Sequence, residues 1–156
     1  MKARLSFSKI DPEAYTAMDA LDNYVANTGI DPLLQEFIRI RASQINGCAY
    51  CVDMHSRDAR KAGASEQRVF LISAWREAGS IFTEEERLIL KMTEEITLIH
   101  QKGLQQSTYE EALSLFGEQK TARIMMIIIT INAWNRIGVA TELKPALQKI
   151  KQASYE

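Results

Sequence analysis

Cys48-Ala49-Tyr50-Cys51, followed four residues on by His55, holds both cysteines of this chain and one of its two histidines. On a helix over residues 48–62, the 3.6-residue period puts Cys48, Cys51 and His55 on one arc about 60° wide. Val52, Ala59 and Ala62 share that arc, while Asp53, Arg57, Arg60 and Lys61 lie opposite, so the thiols look into the protein. The turn signal Asn46-Gly47 sets the Cys48 thiol at a helix N-terminus, where unpaired N–H groups and partial positive charge favour a thiolate. His55, one turn beyond Cys51, can take a proton from it. A helical i,i+3 pair brings the two Cβ atoms to about 5–6 Å, and a small local shift then closes a disulfide. The segment can therefore cycle between dithiol and disulfide. Two other readings compete with redox use. Buried cysteines also pack as inert small hydrophobes. Zinc could take Cys48, Cys51 and His55, with Glu36 or a neighbouring subunit as fourth ligand, but structural zinc sites usually show four clear Cys or His ligands and no second pair exists here.

The helix that precedes the thiols adds a carboxylate. Leu33, Leu34, Phe37, Ile38, Ile40 and Ile45 form its apolar face, and Glu36 lies on the shoulder of that face, about 40° from Ile40. If the chain turns back at Asn46-Gly47, antiparallel packing brings Glu36 level with His55. A carboxylate bonded to one imidazole nitrogen selects the tautomer and raises the basicity of the other nitrogen. The expected relay runs Glu36, His55, Cys51.

The elements that must position these groups are all helical. Asp11-Pro12 and Asp31-Pro32 each offer an N-cap followed by proline at the first helical position, and Gly29, Gly63, Gly79, Gly103 and Gly117 stand where helices should stop. Thr83 to Glu86 and Ser107 to Glu110 both fit the capping box. Helices are expected at roughly 12–27, 32–45, 48–62, 65–77, 84–101, 108–115, 119–139 and 145–152. The run Ile124 to Ile131 has strand propensity, yet it sits in some twenty residues without Gly or Pro and would find no partner strand, so it is read as helix, buried at the centre or at a subunit interface. His100, before Gly103, reads as a helix-dipole partner, Trp75 and Trp134 as core or interface anchors, and Asn135-Arg136 as part of a pocket or an interface.

Composition narrows the function classes. With 156 residues, 46% of them hydrophobic, the chain can bury one good core but hardly two, so residues 1–156 are read as one domain. A net charge of -1 and dispersed Lys and Arg argue against nucleic acid as a partner. Neither the N-terminal residues nor the apolar run Ile124 to Ile129 suits a leader or a bilayer span, so no membrane partner and a cytoplasmic location are expected. In a reducing compartment a Cys-x-x-Cys pair acts in catalysis or metal binding more often than as a staple.

Glu36, eleven residues, Cys48-x-x-Cys51, three residues and His55 resemble the signature of the alkylhydroperoxidase AhpD-like, carboxymuconolactone decarboxylase superfamily. The strings Gln44 to His55, Asp58 to Gly63 and Ile131 to Arg136 are similar to its peroxidase-related branch. This resemblance implies an all-α, single-domain helical bundle of about seven to eight helices, assembled into homo-oligomers, commonly trimers or hexamers. It further implies a thiol-dependent peroxidase in which Cys51 attacks a hydroperoxide and Cys48 resolves the sulfenic acid. His55 and Glu36 would be the proton relay, a thiol or dithiol the reductant, and no cofactor or metal is called for. One position departs from the pattern: the best-known peroxidase members carry histidine immediately before the second cysteine, where this chain has Tyr50. The dithiol also argues against lactone decarboxylation, which does not use it. A non-peroxidatic redox sensor or reductase adaptor, exchanging disulfides with a protein partner, needs the same activated pair and is the alternative.

Overall fold

The computed structural model describes residues 3–147. Among them the helices run α1 Phe7–Ile10, α2 Pro12–Ala26, α3 Pro32–Asn46, α4 Ala49–Lys61, α5 Glu66–Leu71, α6 Glu84–Thr97 and α7 Gln106–Ala140, with 3₁₀ turns at Ile72–Glu77 and Gly79–Ile81 between α5 and α6. No strand occurs among the described residues. The fold is the all-α bundle expected, and among the described residues no helix is long and apolar enough to cross a membrane.

Local chemistry accounts for most boundaries. The Asp11 carboxylate accepts from the Ala14 N–H at 3.1 Å, and that of Asp31 accepts from Leu33 N–H at 2.7 Å, each ahead of a proline at the first helical position. Thr83 and Glu86 form the reciprocal capping box, with Glu86 N–H donating to Thr83 Oγ1 at 3.3 Å and Thr83 N–H to Glu86 Oε2 at 2.8 Å. Gly117 interrupts α7 with φ 74° and ψ 169°, dividing it where two separate helices are expected.

Several boundaries move for tertiary reasons. The expected capping box at Ser107 to Glu110 does not form, because α7 begins at Gln106 and Ser107 lies inside it. Glu95 on α6 serves that end instead: its carboxylate accepts from Gln105 N–H and from Thr108 Oγ1, each at 2.9 Å. The helix expected over 65–77 tightens to 3₁₀ geometry after Leu71, with Ala74 out of helical φ/ψ, as Trp75 turns into the core. Helix α6 ends at Thr97 rather than near 101, leaving His100 exposed in the following turn and not on the helix itself. Pro145 to Leu147 are not helical, and residues 148–152 of the helix expected over 145–152 lie outside the described residues. The short α1 has no counterpart among the sequence expectations.

Helix α3 lies between the two halves of the core. One side meets α6 and α7 through Ile38, Ala42, Ile89, Met92, Ile124 and Ile128, a cluster that Val25 of α2 joins; the other meets α4 and the 3₁₀ region through Phe37, Ile40, Ala59, Ile72 and Trp75. The isoleucine-rich stretch is indeed helical, with Ile124, Ile127, Ile128 and Ile131 buried and Ile129 exposed. Glu94 locks the second half: its carboxylate accepts from Trp75 Nε1 at 2.8 Å, from Arg41 Nε at 2.8 Å and from Arg76. Burial pushes this carboxyl up, but the Trp75 and Arg76 hydrogen bonds and the charge of Arg41 outweigh it, and the group is held below the usual carboxylate value.

Candidate functional site

The turn that opens the site is made by Gly47, at φ 67° in the left-handed region, which closes α3 and aims the chain back along it. Cys48 then serves as N-cap of α4. Its Sγ accepts the Cys51 N–H at 3.3 Å, and its own N–H donates to the Ser43 carbonyl at 3.0 Å. Cys48 and Cys51 are joined as a disulfide, with Cα atoms 5.3 Å apart. Both cysteines are buried, as the helical arc requires.

Antiparallel packing of α3 on α4 brings together the two groups that sequence spacing pairs. His55 Nδ1 lies 2.8 Å from Glu36 Oε2, and both residues are buried. A carboxylate only accepts, so opposite one it is Nδ1 that donates, and in the neutral ring of that tautomer Nε2 is the acceptor. Glu36 sits deeper than a shoulder position suggests, and Arg39, three residues on, makes this possible. The Arg39 guanidinium donates to Glu36 Oε1 at 2.5 Å and to Gln35 Oε1 at 3.1 Å, while Gln35 Nε2 donates to the Ile30 carbonyl at 3.0 Å. Each Glu36 oxygen thus has its own cationic or N–H partner. The i,i+3 spacing of Glu36 and Arg39 was the available sequence signal.

Two further contacts come from α7. Gly138 faces the disulfide so closely that a Cβ there would stand 3.0 Å from Cys48 Sγ and 3.5 Å from Cys51 Sγ. A glycine in a helix interior costs roughly 1 kcal/mol relative to alanine, and that cost was the clue in the sequence. The second contact pins the turn: Asn46 Nδ2 donates at 2.9 Å to the side-chain oxygens of both Asn132 and Asn135. Asn135 Nδ2 passes on to Ser43 Oγ, and Asn132 Nδ2 to Thr97 Oγ1, each at 2.9 Å. Asn135 is therefore a buried clasp holding the approach to Cys48 against α7, whereas Arg136 folds back on the Asn132 carbonyl at 2.8 Å.

A cavity of about 500 Å³ opens over these groups. Cys51 and His55 line it and Cys48 does not. Its walls include Tyr50 and Met54 of α4, Ile131, Trp134, Ile137 and Gly138 of α7, Tyr15 of α2, and Ala3 and Leu5 to Ser8. Trp134, an anchor on sequence grounds, is a wall residue here, edge-on to Tyr15 with ring centroids 5.5 Å apart. Trp75 is the core anchor. Tyr50 points off the thiol arc yet still borders the opening, because the cavity is wider than one helix face.

Glu36, His55 and Asp58 offer ligand atoms within 4.8 Å of one another. A cation there would have to displace the Arg39 guanidinium and the Nδ1 proton, so the donor set does not suit a metal. A zinc site on Cys48 and Cys51 needs two thiolates, and here the sulfurs are bonded to each other. The chemistry the arrangement allows is thiol chemistry: a sulfur at the floor of a largely apolar cavity, an oriented imidazole beside it, and a second sulfur sealed behind.

The model of the carboxymuconolactone decarboxylase family matches residues 12–95. The uncharacterised Bacillus subtilis protein YdfG is 39% identical over 140 residues, 90% of this chain and 95% of that one. A crystal structure of an Agrobacterium tumefaciens protein of unknown function, suggested there to be an antioxidant defence protein AhpD, superposes with a TM-score of 0.91 at 38% identity over 94% of this chain and 100% of its own. The alkyl hydroperoxide reductase AhpD of Coxiella burnetii is 40% identical over 47 residues, 30% of this chain and 27% of that protein.

Proposed function

Because this chain belongs to the carboxymuconolactone decarboxylase family and has the AhpD-like fold, we propose that it is a thiol-dependent peroxidase, an antioxidant protein reducing hydroperoxides through Cys48 and Cys51. The observation that carries this reading is the division of the two sulfurs. Cys51 opens with His55 into an apolar cavity of about 500 Å³, while Cys48 is shut behind it within bonding distance.

In the reduced protein, His55 Nε2 takes the Cys51 proton, directly or through water, and Glu36 holds the imidazolium that forms. The Cys51 thiolate attacks a peroxide oxygen, the O–O bond breaks, and the leaving alkoxide takes a proton from His55 to depart as alcohol. Cys51 is then a sulfenic acid. Cys48 sulfur attacks Cys51 sulfur, hydroxide leaves as water with one proton, and the disulfide forms. A thiol or dithiol reductant restores both thiols, so the sum is hydroperoxide plus dithiol giving alcohol, water and disulfide. Gly138 and the Asn46 clasp are positioning groups in this scheme.

Family membership also carries the expectation of cytoplasmic homo-oligomers, trimers or hexamers, and exposed Ile10 and Tyr24 are apolar surface that assembly would cover.

The test is stopped-flow oxidation of the reduced protein by cumene hydroperoxide, with intact mass before and after. Loss of two hydrogens, much faster than free cysteine reacts, is expected. Cys51→Ser should abolish it, and Cys48→Ser should stop at a sulfenic acid trapped by dimedone. Thiols that exchange with a model disulfide but ignore hydroperoxide would identify a redox sensor or reductase adaptor instead.

A further inference from the structure

The lining of the Cys51 cavity carries carboxylates without a matching lysine or arginine. They are Asp19 and Asp22, on consecutive turns of α2. Neither carboxylate forms an ion pair among the described residues; Asp19 accepts only a long 3.5 Å contact from Asn23 Nδ2. Along the chain Lys9, Lys144 and Arg4 each adjoin a wall residue but do not line the cavity, and Arg4, between Ala3 and Leu5, is already engaged. It pairs with Glu142 at 2.6 Å, donates to the Ala140 carbonyl at 3.4 Å, and its backbone N–H donates to the Thr141 carbonyl at 2.9 Å. Inside the mouth the walls are apolar: Leu5, Phe7, Met54, Ile131, Trp134 and Ile137.

We propose that Asp19 and Asp22 are specificity residues that admit uncharged or cationic hydroperoxides with an apolar body and exclude those carrying a carboxylate. The inference rests on the peroxidase reading and adds a substrate class to it. An apolar pocket of this size takes a small organic body and removes most of it from water. It offers no lysine or arginine to a carboxylate, which would lose much of its hydration and meet two like charges on the way in. A free fatty-acid hydroperoxide would be a poor substrate on this account, and a neutral aryl or branched alkyl hydroperoxide a good one.

The size of the effect follows from Coulomb's law. Two like charges about 8 Å apart in a water-like medium cost about a factor of two to three, so two carboxylates together give about sixfold discrimination. At about 1 M salt, where the screening length is about 3 Å, little of it should remain.

The experiment compares three hydroperoxides with one cumyl skeleton: cumene hydroperoxide itself, its para-carboxylate and its para-trimethylammonium derivative. Second-order rate constants for Cys51 oxidation are read by stopped flow at low and high ionic strength, in the parent and in Asp19→Asn/Asp22→Asn. The expected order in the parent is cation, neutral, anion, with about a sixfold gap between neutral and anion that closes with salt. The double variant should bring the anion up to the neutral compound, so that the neutral-to-anion rate ratio, read within each protein, falls from about six to about one. Equal rates for all three in the parent, or a gap that survives in the double variant, would overturn the charge filter while leaving a peroxidase. Failure of all three to oxidise Cys51 faster than free cysteine would overturn the peroxidase reading, and this proposal with it.

Discussion

Replacing Gly138 with alanine tests how tightly α7 is fitted to the sulfurs. The new methyl would stand 3.0 Å from Cys48 Sγ, several tenths of an ångström inside a normal contact, and 3.5 Å from Cys51 Sγ, which is an ordinary one. Two terms oppose each other. Alanine is a better helix residue than glycine by up to about 1 kcal/mol, and overpacking a dense interior costs about 1–3 kcal/mol. The second term wins here because Cys48 cannot swing aside: its sulfur is bonded to Cys51, its N–H is held by the Ser43 carbonyl, and the residue is buried. The expected net loss is about 1–2 kcal/mol, a drop in melting temperature of about 3–6 °C for a chain of this length. The assay is equilibrium denaturation of the oxidised protein at fixed protein concentration, repeated in a Cys48→Ala background. With that sulfur gone the clash disappears, and Gly138→Ala should become neutral or stabilising by up to about 1 kcal/mol. The coupling between the two sites is then about 2 kcal/mol. If Gly138→Ala is as stable as the parent while Cys48 is present, the argument that glycine is required by the sulfur is wrong.

Glu36→Gln removes the charge that supports a protonated His55 and should slow Cys51 oxidation by about 10²-fold, read by stopped flow, and cost about 1–3 kcal/mol of stability because Arg39 loses its anion. Asn135→Ala leaves Asn46 Nδ2 and Ser43 Oγ short of buried partners and should cost about 2–3 kcal/mol in urea unfolding; a loss under about 0.5 kcal/mol would deny it the role of clasp. Glu94→Gln should destabilise by about 1–3 kcal/mol at neutral pH, because Arg41 and Arg76 lose their shared anion. The folded Glu94 carboxyl is held below its usual value, so its contribution is fully present above the unfolded value of about 4.3 and fades as pH falls through the lower folded one. The gap between parent and Glu94→Gln should accordingly shrink in chemical denaturation below about pH 4; a gap independent of pH would contradict the assignment.

Much of the site was legible because it is written in short range. The arc shared by Cys48, Cys51 and His55, the turn at Asn46-Gly47 and the caps at Asp11, Asp31 and Thr83 depend on helical geometry and on residues within one turn of each other. The Glu36–His55 contact was within reach for a related reason: once a tight turn joins two helices with apolar faces, antiparallel packing leaves few registers, and only one levels a carboxylate with the imidazole. Helix ends governed from elsewhere were not legible in this way. The start of α7 takes its cap from Glu95, ten residues before Gln105 and on another helix, so the local Ser107 to Glu110 pattern misled.

What the sequence determined by itself, then, was an all-α chain and one dithiol face with an imidazole on it. What only the tertiary structure decided was which sulfur meets the outside. That choice is made by α7, which lies some ninety residues further along the chain, seals Cys48 with Gly138 and walls the opening over Cys51 with Trp134 and Ile137. Arg39 under Glu36, the Asn46 clasp and the carboxylates of α2 at the mouth belong to the same level. Helical period and caps act through bonds a few residues long and can be counted along a sequence. Enclosure, close approach and the sign of a cavity's charge arise where distant surfaces pack, and a core as dense as an organic crystal settles them to a few tenths of an ångström only when all its helices are in place.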